Sequence, residues 1–176
     1  MSYYVPADNP GAVSLERMLA WRARHREGRP GLKLNLLCGD VYLQGFVNLD
    51  VYSKEFAFRL DPFYPRLPFP DNSVEFVYWN QGPEHVASVD AMIQELYRVS
   101  FDQAEWYLET VGWKDPNSYG DPTHYSHWGL RILDFYLPGG NGGRRYGPAR
   151  ITFERTGSDE GTLEWKCVVI KPGNVP

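Results

Sequence analysis

The chain has 176 residues, of which 43% are hydrophobic, 15% aromatic and 23% charged, enough for one domain with a real core and no need of metal or disulfide staples. This composition excludes a disordered chain, and a formal net charge of −4 argues against an electrostatic grip on a long nucleic acid, which needs a basic surface to displace counterions. Cys38 and Cys167 both lie in apolar, strand-like runs, where cysteine behaves as a small buried hydrophobe, so a reducing, cytoplasmic setting is expected. The opening MSYYVPADNPGAVSL lacks the cationic-then-apolar pattern of a signal peptide, and no run approaches the roughly 20 apolar residues of a membrane span. A single domain over residues 1–176, free of membrane, is the expectation; oligomeric state stays open.

In chain order, Ser14 suits a helix N-cap, and SLERMLAWRARHREG sets Leu15, Met18 and Leu19 at helical spacing before stopping at Gly28 and Pro30. Residues 1–30 thus read as a helical extension packed on the body. Its Arg17, Arg22, Arg24 and Arg26 make a solvated face or a docking patch, the former being the ordinary outcome. Three short strands follow, in LKLNLLC, FVNLDVY and EFAFRL. DPFYPRLPFPDNS, with four prolines, reads as a loop, and VEFVYWN as a fourth strand. SVDAMIQELYRVS puts Val89, Met92, Ile93, Leu96 and Tyr97 on one face, with Asp90 in the first turn, which predicts a helix. EWYLETVGW, from Glu105 to Trp113, reads as a fifth strand. KDPNSYGDPTHYSHW is a long polar loop of the kind that carries function. ARITFERTGSDEGTLEWKCVVIKPG holds two alternating runs joined by TGSDEG, an antiparallel hairpin.

The strand-and-helix core predicts an open α/β sheet, whose ligands bind outside the carboxyl ends of the strands. Cys38, Gly39 and Asp40 follow the first strand, Asp50 ends the second, Asp61 the third, and Asn80 to His85 follow the fourth. A glycine turn lets a ligand approach the backbone, and a carboxylate after the second strand suits a ribose diol, because it accepts from both hydroxyls. The plainer alternative is that Asp50 and Asp61 end strands and cap turns.

LKLNLLCGDVYLQGFVNLDV, LPFPDNSVEFVYWNQGPEHV and ELYRV together resemble the small class I S-adenosylmethionine-dependent methyltransferases of the type 11 kind. Their pattern runs from an LNLGCG turn through GFVNVD to PFPDNSVD, an EH pair and a helix ending in LYRV. DPTHYSHW and LEWKCVVIKP are similar to later segments of the same group, so the resemblance covers most of the chain from Leu32 onward. It implies a Rossmann-like, mostly parallel sheet with a C-terminal antiparallel hairpin and helices on both faces. S-adenosylmethionine is the implied cofactor. The backbone of Cys38, Gly39 and Asp40 would line its methionine end, Asp50 would bind the ribose, Asp61 would lie near the adenine, and Asn80 and Gln81 would border the sulfonium. The short GDVYLQG connection, without a helix between the first two strands, also occurs in this branch.

Two departures fall on the implied cofactor face. Leu37 stands where the family turn carries glycine, so its isobutyl group would occlude or displace the methionine moiety. In YWNQGPEH, Gly82 and Pro83 replace an apolar pair, and Gln81 sits where histidine is common.

Methyl transfer is an in-line displacement accelerated mainly by positioning, with a base needed by some acceptors. His124 is the first candidate base and His85 the second; a hydrogen-bonded loop anchor is an equal role for either. Tyr119, Asp121, Tyr125 and Trp128 are candidates for substrate binding, as a stacking wall for a planar acceptor or as a lid packed on the core. His124 and His127 with Asp121 fall short of the ligand count zinc needs, so no metal is expected. Arg144, Arg145 and Arg150 in GGNGGRRYGPAR would suit an anionic substrate group or simply sit on a surface loop. The leading reading is a methyltransferase acting on a small-molecule or nucleotide-like acceptor; the alternative is a non-catalytic member of the fold serving as an interaction or assembly subunit. The absence of a GxGxxG turn speaks against another kind of dinucleotide enzyme.

Overall fold

Seven strands follow one another in the computed structural model, which describes residues 31–51, 53, 56–139 and 147–172. They are β1 (Leu32–Leu36), β2 (Val47–Asp50), β3 (Phe56–Ala57), β4 (Val74–Asn80), β5 (Ser100–Val111), β6 (Ile151–Gly157) and β7 (Thr162–Val169). They join in one sheet of order β3-β2-β1-β4-β5-β7-β6. The pairs among β1 to β5 are parallel, and β7 lies antiparallel between β5 and β6. The mostly parallel sheet closing on an antiparallel pair is the architecture expected from the sequence. β3 is shorter than EFAFRL suggested, and β5 starts earlier, at Ser100, because an irregularity between the Val74 and Phe76 pairings, with Gln103 at φ 62°, lets the strand run on from the preceding helix.

That helix, α1 (Val89–Val99), begins where the sequence placed it. The Ser88 hydroxyl accepts from the Ala91 amide at 3.3 Å, and Asp90 sits in the first turn, both favourable to the orphan N–H groups and the dipole of a helix start. Its Met92, Ile93 and Leu96 are fully buried in one apolar cluster with Leu34, Leu36, Val77, Trp79, Trp106, Leu108, Trp165 and Cys167. Alternation along each strand gives the sheet its two faces. Phe76, Tyr78 and Tyr107 belong to a second cluster on the opposite face, covered by Leu43, Val41 and Phe46.

The coverage of that second face explains how the chain dispenses with a helix between β1 and β2. Two buried asparagines hold the connection in place: Asn35 Nδ2 donates to the Val41 carbonyl at 2.6 Å and to Asn48 Oδ1 at 2.8 Å. Asn48 Oδ1 also accepts from the Leu43 amide, and its Nδ2 donates to the Leu43 carbonyl. The loop's polar backbone is satisfied by side chains instead of by helical bonds.

The helix expected over Ser14 to Gly28, and Arg144 and Arg145 of the glycine-rich stretch, lie outside the described residues. Among the described residues α1 is the one helix longer than five residues, so the expectation of helices on both faces is met on one face there. No helix among them is long and apolar enough to cross a membrane.

Candidate functional site

The carboxyl ends of β1, β2 and β4 carry three short turns that face one another across a cleft of about 470 Å³, within the ordinary size of small-molecule sites. Leu37 and Gly39 come from the turn after β1, Asp50 and Val51 from the end of β2, and Arg59, Leu60 and Pro62 from the segment after β3. Gln81 and His85 follow β4, and Thr123 and Tyr125 come from the long loop beyond β5. The proline-rich wall is tied to the start of α1, since the Pro62 carbonyl accepts from the Ala87 and Ser88 amides at 2.8 and 3.2 Å.

The floor is made of backbone in an uncommon conformation. Leu37 has φ 51°, Gly39 φ 49° and Gln81 φ 48°; the left-handed region suits glycine and strains residues with a Cβ. Leu37 therefore follows the path that glycine takes most easily, and its half-buried side chain leans on the apolar core. A methyl group added at Gly39 would meet no atom within 4 Å, so bare backbone opens onto space there. The Gly39 amide donates to Asp50 Oδ2 at 3.0 Å, which fixes the carboxylate at the cleft. Gly82, next to Gln81, lies so close to Trp79 that an added Cβ would stand 2.5 Å from its indole nitrogen, which accounts for glycine in the unusual QGPEH turn.

The second wall is a knot between the turn Pro83–His85 and the loop 121–128. The Glu84 carbonyl accepts from the Tyr125 and Ser126 amides at 2.9 and 3.1 Å, and the Pro83 carbonyl from Trp128 Nε1 at 3.1 Å. His85 Nδ1 lies 3.1 Å from both the carbonyl and the hydroxyl of Thr123. The His124 ring stands edge-on to it, centroids 4.9 Å apart, with its Nδ1 3.3 Å from the Ser118 carbonyl and its Nε2 4.0 Å from Glu84 Oε1. Glu84 is 1% exposed, and its other oxygen accepts from Thr110 Oγ1 at 2.6 Å. Asp121 caps the loop by accepting from the Thr123 hydroxyl and amide, and those two bonds above all hold its carboxyl below the usual carboxylate range.

Of the residues named from sequence, Leu37, Gly39, Asp50, Gln81, His85 and Tyr125 meet at the cleft. The others have different surroundings. Cys38 is buried beneath the turn and Asp40 is exposed outside the lining. Asp61 Oδ1 accepts from the Phe63 and Tyr64 amides, the turn-capping role that the plainer reading gave it. Asn80 donates to Glu109 at 2.9 Å, while Tyr119 is exposed and packs on His127. Trp128 is fully buried between Trp79 and Trp165, so it is a core residue and not a substrate wall. The sequence reading missed Arg59 and Leu60, at the end of a run read as strand, and Thr123, which sits in the DPTH segment between the candidates Asp121 and His124.

No protein-family model matches the chain, and no curated protein is significantly similar to it in sequence. Solved structures do match it. A SAM-dependent methyltransferase from Aquifex aeolicus is 15% identical, with TM-score 0.56, over 93% of this chain and 95% of that one. A second, from Archaeoglobus fulgidus, is 13% identical, with TM-score 0.57, over 91% and 94%. A chain of the complex between the Haloferax volcanii Trm112 methyltransferase activator and a methyltransferase is 14% identical, with TM-score 0.59, over 94% and 96%. The class that the architecture defines is therefore the class I, Rossmann-like methyltransferase fold, and at these identities the likeness is one of fold.

Proposed function

We propose that the cleft binds S-adenosylmethionine and that the chain transfers its methyl group to a small-molecule or nucleotide-like acceptor. The observation that carries this reading is the Asp50 carboxylate, held by the Gly39 amide at the mouth of a cleft of about 470 Å³. A carboxylate so placed accepts from the two hydroxyls of a ribose. Open backbone at Gly39 accommodates the methionine portion, and Arg59, the one lysine or arginine among the described lining residues, suits an anionic group of either ligand. When bound, the cofactor supplies an electrophilic methyl group on a sulfonium. The protein's part is to align the acceptor with it and exclude water. His85 is the histidine that lines the cleft, and its Nδ1 contact with the Thr123 carbonyl leaves Nε2 with a lone pair to receive a proton from the acceptor.

Calorimetric titration with S-adenosylmethionine and S-adenosylhomocysteine tests this directly. Binding in the micromolar range is expected, weakened at least tenfold in Asp50→Ala, about the loss of one hydrogen bond to a charged group. No heat and no thermal shift at millimolar ligand would overturn the proposal. It would favour the second reading, a non-catalytic member of the fold acting as an interaction or assembly subunit, for which Leu37 on the cleft floor is the specific observation.

A further inference from the structure

Glu84, His85 and His124 each present one ligand atom within 4.8 Å of the other two. We propose that these three side chains form a zinc site beside the His85 wall of the cleft.

Three observations support it. Glu84 is a carboxylate at 1% exposure whose only ion-pair contact among the described residues is His124 at 4.0 Å; no lysine or arginine among them pairs with it. An ionised carboxylate is costly to bury without a positive partner, and a divalent ion between Glu84 and the two imidazoles would be such a partner. Both histidines place Nδ1 against a backbone carbonyl, His85 on Thr123 and His124 on Ser118. A carbonyl only accepts, so each Nδ1 carries the proton and each Nε2 keeps its lone pair; backbone carbonyls orient zinc-binding imidazoles in this way. The set of two nitrogens and one carboxylate oxygen matches a zinc site with an open fourth position, and the cluster adjoins the cleft through His85, which lines it.

Bonds of about 2.0–2.2 Å to zinc put neighbouring ligands roughly 3.4 Å apart, so the 4.0 Å separation of Glu84 and His124 closes by a small side-chain movement. The frame around the cluster is already built. Thr110 orients Glu84, and the Tyr125 and Ser126 amides lock the loop that carries His124 onto the Glu84 carbonyl. His127, which the sequence pairs with His124, is turned away and bonds the Ser118 hydroxyl at 3.0 Å.

Only the use of the metal rests on the methyltransferase reading. An acceptor oxygen, nitrogen or sulfur ligated at the open position loses its proton to solvent more readily, and the His85 lone pair then serves the metal and not the proton.

The test is a titration of the full chain, stripped with a chelator, with zinc chloride in competition with a chromophoric chelator. One equivalent is expected to bind with micromolar or tighter affinity. Glu84→Gln and His124→Ala should each weaken it at least tenfold, and His127→Ala should leave it unchanged. His85→Ala gives an independent arm should a buried variant fail to fold, as judged by circular dichroism. Cobalt loading should give the intense visible absorption of four-coordinate metal. Absence of stoichiometric uptake, or uptake equally strong in folded His85→Ala and His124→Ala, overturns the proposal. S-adenosylmethionine titrated into the same samples separates the two ideas: zinc uptake without cofactor binding sinks the methyltransferase reading alone.

Discussion

At the scale of single residues, the cleft is defined by two side chains in a backbone conformation that ordinarily belongs to glycine. Leu37 at φ 51° and Gln81 at φ 48° face each other from the turns after β1 and β4, and each costs on the order of 1–2 kcal/mol of left-handed strain. Two of the four non-glycine residues at positive φ among the described residues meet at this one cleft, and strain of this kind is a pattern of sites whose shape is constrained by a ligand. The sequence already marked Leu37 as a departure; only the structure shows that its backbone nevertheless keeps the glycine-like path. Replacing it tests what the side chain does. Leu37→Gly relieves the strain, loses about 1–2 kcal/mol of apolar contact and makes the unfolded chain freer. Its thermal midpoint is expected within a few degrees of the parent, while calorimetry should read tighter S-adenosylmethionine binding. Unchanged affinity would show that the isobutyl group stands clear of the ligand.

At the scale of elements, the cleft's outer wall hangs on α1. Glu95 accepts from the Leu67 amide at 2.7 Å and from Arg98 at 2.6 and 2.8 Å, and Arg66 adds a contact at 3.2 Å. Arg98 in turn reaches Asp71 at 2.6 Å, so the Glu95–Arg98 pair ties the helix to the middle and the far end of the proline-rich loop. Burial raises the Glu95 carboxyl, but the Arg98 and Leu67 hydrogen bonds and the charges of Arg98 and Arg66 outweigh it and hold it below the usual glutamate range. The stability this contributes is complete above the unfolded value of about 4.3 and is lost as pH falls through the folded value. Glu95→Gln should cost about 1–3 kcal/mol at neutral pH and flatten the acid limb of the stability curve, as urea melts between pH 7 and pH 3 would read. A parallel loss in both proteins would show that other carboxylates govern the limb. This tie was not legible in sequence: Leu67 and Glu95 are joined only by the fold, whereas the helix itself was readable from Ser88 and its apolar spacing. The short β1–β2 connection divides in the same way. Its length was plain, but its pinning by Asn35 and Asn48 arises from two polar residues inside apolar strands, where pattern reasoning looks for hydrophobic ones.

At the scale of the whole molecule, the strands were legible from their own apolar runs and the closing hairpin from its turn, and the mostly parallel sheet from the family resemblance, while the order of the strands emerged only from the structure. The cleft was legible at its motif-borne edges, Gly39, Asp50 and His85. It was illegible at Arg59 and Leu60, which reach the site from an irregular segment, and at Thr123, whose polar neighbours Asp121 and His124 drew the reading instead. Cys167 gives the whole molecule a reporter. It is fully buried in β7, and burial pushes its thiol well above the usual range, so the nucleophilic thiolate is scarce. Alkylation of Cys167 in the native protein is expected to occur only through global opening, at a rate whose logarithm falls linearly with stability across the variants above. Modification at a rate indifferent to stability would reveal a local opening of β7.

The place of β7 also sets an order on assembly. Seven residues of β5, Glu105 to Val111, pair with seven of β7, while β6, made earlier than β7, finds its partner only on β7's far side. During synthesis, β1 to β4 can pair with β5 from one side, yet the other edge of β5 stays open until residues 162–169 have left the ribosome. An open edge beside Trp106 and Leu108 invites pairing with a foreign strand. The hairpin therefore acts as a late stopper for the growing sheet, and a chain released before residue 162 would carry an unguarded adhesive edge.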